Sequence, residues 1–297
     1  VVAELEMNGQ YGTAHVCGSV LRSVMAFGGE GLPVSGITPL WLKAYEGYLL
    51  HKGGKGLAWN TVSTYMRMLQ AVYNRAVVRK LAAFIPHQFR DVFTGRKADH
   101  RRVLERDDMQ KLLVEREPDI TSPGMAWARA CLELMFRFHG MPFVDLAHLR
   151  KSDLKDGYLT LRRRKTGMPL SARVDGRAMQ LLERYRNRDD TSPYLLCFLD
   201  GNLEGMAAYR DYQRILRLLN SRLRALALWK KVQGKVTSYS ARHTWATVGR
   251  YCHIPIEVIS EGLGHASVTT TEGYMKGFGN SRMDRANKVI MNYIFKG

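Results

Sequence analysis

The chain has 297 residues, 45% of them hydrophobic, and its 45 Lys and Arg against 27 Asp and Glu leave a formal net charge of +18. That length holds one large domain or two moderate ones, and the apolar share excludes wholesale disorder. No stretch approaches the roughly 18 apolar residues that span a bilayer, and no basic segment followed by an apolar one opens the chain as a signal peptide would.

The charge excess is spread along the chain: eleven basic against six acidic residues up to position 100, and 34 against 21 beyond it. A distributed positive surface suits a polyanionic partner, whose condensed counterions are released as its charges are neutralised. Cys17, Cys131, Cys197 and Cys252 form no CxxC pair. Neither a zinc site nor a disulfide framework is expected, and they read as small buried hydrophobes in a reducing cytoplasm. The first residue is Val1 rather than Met, which leaves a segment upstream of it open.

In chain order, Met7 to Met25 reads as weakly helical and is broken by Gly28, Gly29, Gly31 and Pro33. Thr38-Pro39 reads as an N-cap with proline at the first helical position, opening a helix to about His51. The Gly53-Gly54-Lys55-Gly56 cluster ends that helix. A second runs from Asn60 to about Leu81, with Val62, Tyr65, Met66, Leu69, Val72, Tyr73, Ala76 and Val77 on one face. Residues 91–102 are polar and basic, the best candidate linker. Helices are expected at 105–115 and 125–138. Gly140-Met141-Pro142 breaks the chain before 143–149. Asp156-Gly157 turns into a strand at 158–161, and Lys165-Thr166-Gly167 turns back into 168–172. Helices follow at 175–187, 206–229, 240–252, 255–262 and 267–273. The fold class is mainly α with a small antiparallel β-sheet. The domains are drawn as a helical 1–94, a linker 95–102 and a larger 103–297.

Three segments stand together in the second domain: Tyr239-Ser240-Ala241-Arg242-His243-Thr244-Trp245-Ala246-Thr247, Leu263-Gly264-His265, and Thr270-Thr271-Glu272-Gly273-Tyr274. Here the sequence resembles the tyrosine recombinase (phage integrase) family. That family's signature is an "RHTxAT" helix, then "LGH", then a tyrosine nine residues after that histidine. Any one of these alone would carry no weight; their order and spacing carry the likeness.

The resemblance implies a two-domain DNA clamp and an enzyme that cuts and rejoins DNA through a covalent 3′-phosphotyrosine. Tyr274 would be the nucleophile. Its phenol, with an ordinary pKa near 10, needs a cationic setting to attack. Arg242 would clamp the non-bridging phosphate oxygens with a planar fork that lysine cannot copy. His265 would add a hydrogen bond and help move the nucleophile's proton. By the same resemblance Lys165, on the hairpin, would protonate the leaving 5′-oxygen. No cofactor and no metal are implied.

Two departures stand out. The family's first arginine falls at Pro142, within His139-Gly140-Met141-Pro142-Phe143-Val144-Asp145, where Asp145 fits the acidic position. This form resembles a subgroup of mobile-element integrases lacking that arginine, and Arg137 or His139 just upstream are candidate phosphate donors in its stead. Tyr239 takes the place of the usual first histidine, where a hydroxyl can still hydrogen-bond but carries no positive charge.

The first domain, opening its long helix at Asn60-Thr61-Val62-Ser63-Thr64-Tyr65, resembles the family's SAM-like core-binding domain, and the likeness runs over about residues 36–280. DNA-backbone contacts are assigned to Arg67, Arg75, Arg162, Arg163 and Arg164; for Arg67 and Arg75 the alternative is solvated surface charge, and for Lys165 the alternative to catalysis is a place in the same backbone strip as Arg162 to Arg164. The implied partners are double-stranded DNA with a specific recombination site, a homo-tetramer on two such sites (monomer or dimer otherwise), and accessory DNA-bending proteins, with no membrane. The implied location is the bacterial cytoplasm, at the nucleoid. The tail from Arg282, with Met283, Ala286, Val289, Ile290, Tyr293 and Ile294 as an apolar stripe, would dock on a neighbouring subunit or on its own domain. The competing readings are a DNA-binding architectural or regulatory protein with a decayed site, and a type IB topoisomerase. The small helical first domain and the integrase-like spacing count against the topoisomerase.

Overall fold

Thr38 Oγ1 accepts the Trp41 amide at 3.2 Å and Pro39 takes the first helical position, the capping arrangement that the dipeptide predicts. The computed structural model describes residues 1–97, 103–113, 122–265, 267–272, 275 and 287. Tyr274, most of the linker 95–102, the end of the helix expected at 105–115, and the apolar tail stripe lie outside the described residues. Contacts divide the chain into two compact units: Val1–Ala98 with Glu204–Tyr209, and Asp99–Leu203 with Arg210–Gly297.

The first unit is built on α1 (Val2–Met7), α2 (Tyr11–Gly28), α3 (Pro39–His51) and α4 (Trp59–Val78). The opening is more helical than the sequence suggests. Ala14, Cys17, Val20 and Val24 recur at helical spacing and are all buried on α2, but small side chains give that stripe little contrast. The core of the unit joins Leu42, Tyr45 and Leu49 of α3 to Val62, Met66, Leu69 and Tyr73 of α4. Around Phe27, the rings of Trp41, Tyr45 and Tyr48 stand 5.0 to 5.4 Å away, within the range where aromatic pairs attract.

The second unit is organised around α6 (Pro123–Arg137), which follows α5 (Arg106–Leu113) and whose stretch from Ala128 to Met135 is buried all round. After α7 (Phe143–Ala147) comes a three-stranded antiparallel sheet, β1 (Leu154–Lys155), β2 (Tyr158–Arg162) and β3 (Pro169–Arg173), in the order β1-β2-β3. The register runs from Tyr158 opposite Arg173 to Arg162 opposite Pro169. Leu159, Leu170 and Ala172 face the core, and Arg162 faces out. The pair β1–β2 across Asp156-Gly157 adds a strand that the sequence reading did not assign. Then follow α8 (Gly176–Arg184), α9 (Gly205–Trp229), α10 (Ser240–Tyr251), α11 (Ile256–Gly262) and α12 (Val268–Glu272). No helix among the described residues is long and apolar enough to cross a membrane.

Candidate active site

Arg242 is the largest fully buried side chain of the unit, 2% exposed, in the first turn of α10. An arginine is buried only where its donors are met, and here backbone carbonyls meet them. Nη1 donates to Gly140 O at 3.1 Å and Nη2 to Leu263 O at 2.7 Å. The first carbonyl is delivered by an unusual turn in which His139 and Gly140 both adopt positive φ, 55° and 66°. A Cβ on Gly140 would stand 2.9 Å from the Arg242 Cα, so the backbone passes there only because the residue is glycine.

His265 completes the pair. Its Nε2 lies 2.7 Å from Arg242 Nη2 and its Nδ1 2.8 Å from Thr271 Oγ1. A guanidinium only donates, so Nε2 is the accepting nitrogen and Nδ1 carries the proton. Thr271, fully buried on α12, holds that tautomer. Nothing in the sequence pattern marks Thr271 for a role except its position, six residues after the histidine.

Arg163 corrects an expectation. The charge run predicts a DNA-backbone contact for it alongside Arg162 and Arg164, yet it is 5% exposed. Its Nε donates to Asp145 Oδ2 at 3.2 Å and its Nη1 to the carbonyls of Leu263 and, at 3.0 Å, Gly264. The reason is strand parity: side chains alternate along β2, and Arg163 shares the inward side with Leu159 and Leu161. Asp145 is 2% exposed and also accepts the Arg164 amide at 2.9 Å. Gly264, at φ +61°, leaves room for this side chain, since a Cβ would lie 2.5 Å from Arg163 Cδ.

The other assigned residues fall elsewhere. Lys165 is exposed at the hairpin tip, closed by Gly167 N to Arg163 O at 2.8 Å. Arg67, Arg162 and Arg164 are exposed; Arg75 is half-buried and ion-paired with Glu4. Arg137, a candidate phosphate donor, is bound by carboxylates instead: Glu133 at 2.9 Å and Asp175 at 2.6 Å. Asp175 caps α8 through the Ala178 amide, which together with Arg137 holds its carboxyl below the usual range. His139, the other candidate, packs its ring 5.6 Å from Trp245, and burial pushes its pKa down. Burial thus disfavours the charged ring that a phosphate donor would use. Tyr239 is 39% exposed at the N-cap of α10, its ring 6.3 Å from that of His243.

Tyr274 follows this site in sequence, and of its near neighbours Thr271 bonds His265 while Met275 is buried in the cluster of Ala246, Ile259 and Leu263. The two guanidiniums meet at the Leu263 carbonyl; Asp145 offsets the charge of Arg163, so the donors suited to an anion whose charge is spread over several oxygens, as on a phosphoryl group, are those of Arg242 beside the His265 imidazole.

A model of the phage integrase family matches residues 102–278, and one of the phage integrase SAM-like domain matches residues 1–90. The chain belongs to the phage integrase family. It is 29% identical over 140 residues to tyrosine recombinase XerA of Pyrococcus furiosus, a match covering 46% of each chain. It is 27% identical over 180 residues to the putative integrase/recombinase y4gC of Sinorhizobium fredii, covering 59% of this chain and 88% of that one. The match to XerA thus spans about half the length of that relative. Among solved structures, a lambda integrase dimer bound to a COC′ core site superposes with a TM-score of 0.65 at 17% identity, covering 91% of this chain and 90% of the other; this likeness is one of fold.

Proposed function

We propose that the chain is a site-specific DNA recombinase that cuts and rejoins double-stranded DNA, with Tyr274 as nucleophile. The observation that carries the reading is the Arg242–His265 pair at 2.7 Å, built from two segments whose types and spacing match the family signature that Tyr274 completes. In the proposed step the phenolic oxygen bonds to phosphorus and the P–O5′ bond breaks. Lys165 gives a proton to the leaving oxygen. His265 Nε2, released when Arg242 turns to the phosphate, takes the phenol's proton. The 3′-phosphotyrosine conserves the phosphodiester's energy, so religation reverses the step and no cofactor is needed.

Residues 1–94 would be the core-binding domain, 95–102 the linker and 103–297 the catalytic domain. Arg67, Arg162 and Arg164 are exposed on their units, which suits backbone contacts. Two recombining sites with two cleavage positions each call for four nucleophiles, hence a tetramer of this chain; accessory DNA-bending proteins and a bacterial nucleoid location belong to the same reading. The surplus of +18 supports DNA as the partner.

The test is incubation with a nicked suicide duplex carrying the protein's own site, resolved on a denaturing gel. A covalent adduct formed by the wild type and lost in Tyr274→Phe, with DNA binding kept within a few fold, is the expected result. Site-specific binding without any adduct would instead support an architectural protein.

A further inference from the structure

We propose that Arg163 is a positioning residue that locks the Lys165 hairpin to the Leu263–His265 turn, so that the proton donor and the phosphate clamp are held as one unit. This rests on the recombinase reading. Arg163 is the last residue before the hairpin tip and lies two positions from Lys165. One side chain joins three separate pieces of chain: its own hairpin, α7 through Asp145, and the turn after α11 through the carbonyls of Leu263 and Gly264. A second tether runs in parallel, from the Arg164 amide to the other Asp145 oxygen at 2.9 Å. Asp145 is thereby clasped by consecutive residues of the hairpin, with its own side chain and that of Arg163 1% and 5% exposed.

The charges favour a positioning role over direct phosphate binding. The Asp145 carboxylate offsets the Arg163 guanidinium, whereas Arg242 rests on neutral carbonyls. The two meet at Leu263 O, whose two lone pairs serve both donors. Arg242 keeps its own bonds to Gly140 O and Leu263 O when Arg163 is removed, so the hairpin that carries Lys165 comes loose while the clamp stays in place. Pro142, where the family's first arginine would stand, caps α7 and presents its carbonyl to the Asp145 and Leu146 amides. The position that lacks the arginine thus belongs to the same helix that Arg163 grips.

The test compares two suicide substrates in Arg163→Met. One has the ordinary 5′-bridging oxygen; the other has sulfur there, which leaves as a thiolate and needs no proton. The expected result is cleavage of the oxygen substrate slowed by about 100-fold, in line with a lost transition-state donor. The sulfur substrate should be cleaved within about tenfold of wild type, the same pattern as Lys165→Ala. Equal slowing on both would overturn the proposal in favour of a phosphate-charge role, and near-wild-type rates on both would overturn it outright. Where Arg163→Met does not fold, Arg163→Met with Asp145→Asn removes the buried carboxylate along with its partner and is judged by the same comparison. Failure of that variant to fold as well would also overturn the proposal, assigning the pair to stability alone. A wild type inert on both substrates would count against the recombinase reading itself.

Discussion

Arg163 Nη1 and Arg242 Nη2 donate to one acceptor, the carbonyl oxygen of Leu263. The planar fork of Arg242 also spans Gly140 O and His265 Nε2, a set that a single ammonium cannot reach together. Arg242→Lys is expected to slow adduct formation by about 10² or more, the effect of losing one transition-state donor, while thermal unfolding shifts by only a few degrees. Rates on the suicide duplex alongside calorimetry check both halves.

The His265 tautomer depends on Thr271. Thr271→Val keeps the shape and removes the oxygen 2.8 Å from Nδ1. Loss of one net hydrogen bond of about 1 kcal/mol corresponds to a rate drop of roughly fivefold. Single-turnover cleavage at several pH values measures it, and Thr271→Ser should recover most of the rate.

Gly264→Ala combines left-handed strain with a Cβ placed 2.5 Å from Arg163 Cδ. The strain costs about 1–2 kcal/mol and the crowding about 1–3 kcal/mol. Gly157→Ala has φ +76° and open space around the new carbon, so it should show the strain alone. Urea midpoints of the two variants give the difference directly; equal losses would mean that Arg163 simply moves aside.

His148 provides a pH test. Burial, with Arg164 next, lowers its pKa to about 4, while its Nδ1 lies 2.7 Å from Val144 O. The folded pKa sits below the unfolded value near 6.5, so between pH 6.5 and 4 the unfolded chain binds more protons. Stability is therefore complete above pH 6.5 and falls as pH drops through that window. At pH 5 the loss is about 2 kcal/mol for this group. His148→Asn, which keeps a donor without a titrating ring, should lose less stability than wild type between pH 7 and pH 5 in urea titrations.

Much of this was legible in the sequence because it is written in short-range terms. Thr38-Pro39 announces a cap, and Leu159, Leu161, Leu170 and Ala172 announce a hairpin by alternation. The same alternation, extended two residues past Leu161, would have placed Arg163 inside; the run of three arginines masked the parity by suggesting a uniformly charged strip. Glu133 and Arg137 stand four apart on one helix, the spacing of an ion pair, which was the available sign that Arg137 was committed elsewhere. What no local pattern holds is the convergence at Leu263 O. It joins residues about a hundred positions apart through a carbonyl, and carbonyls are common to every residue type.

The most direct measurement concerns Tyr274 itself. The covalent adduct formed on the natural site is digested with protease and nuclease, and the nucleotide-bearing peptide is sequenced by mass spectrometry. The modified residue should be Tyr274, carrying a 3′-linked nucleotide, and should vanish in Tyr274→Phe. A nucleotide on any other residue, or none on DNA that the protein binds at its specific site, would contradict the assignment of this chain as a tyrosine recombinase acting through Tyr274.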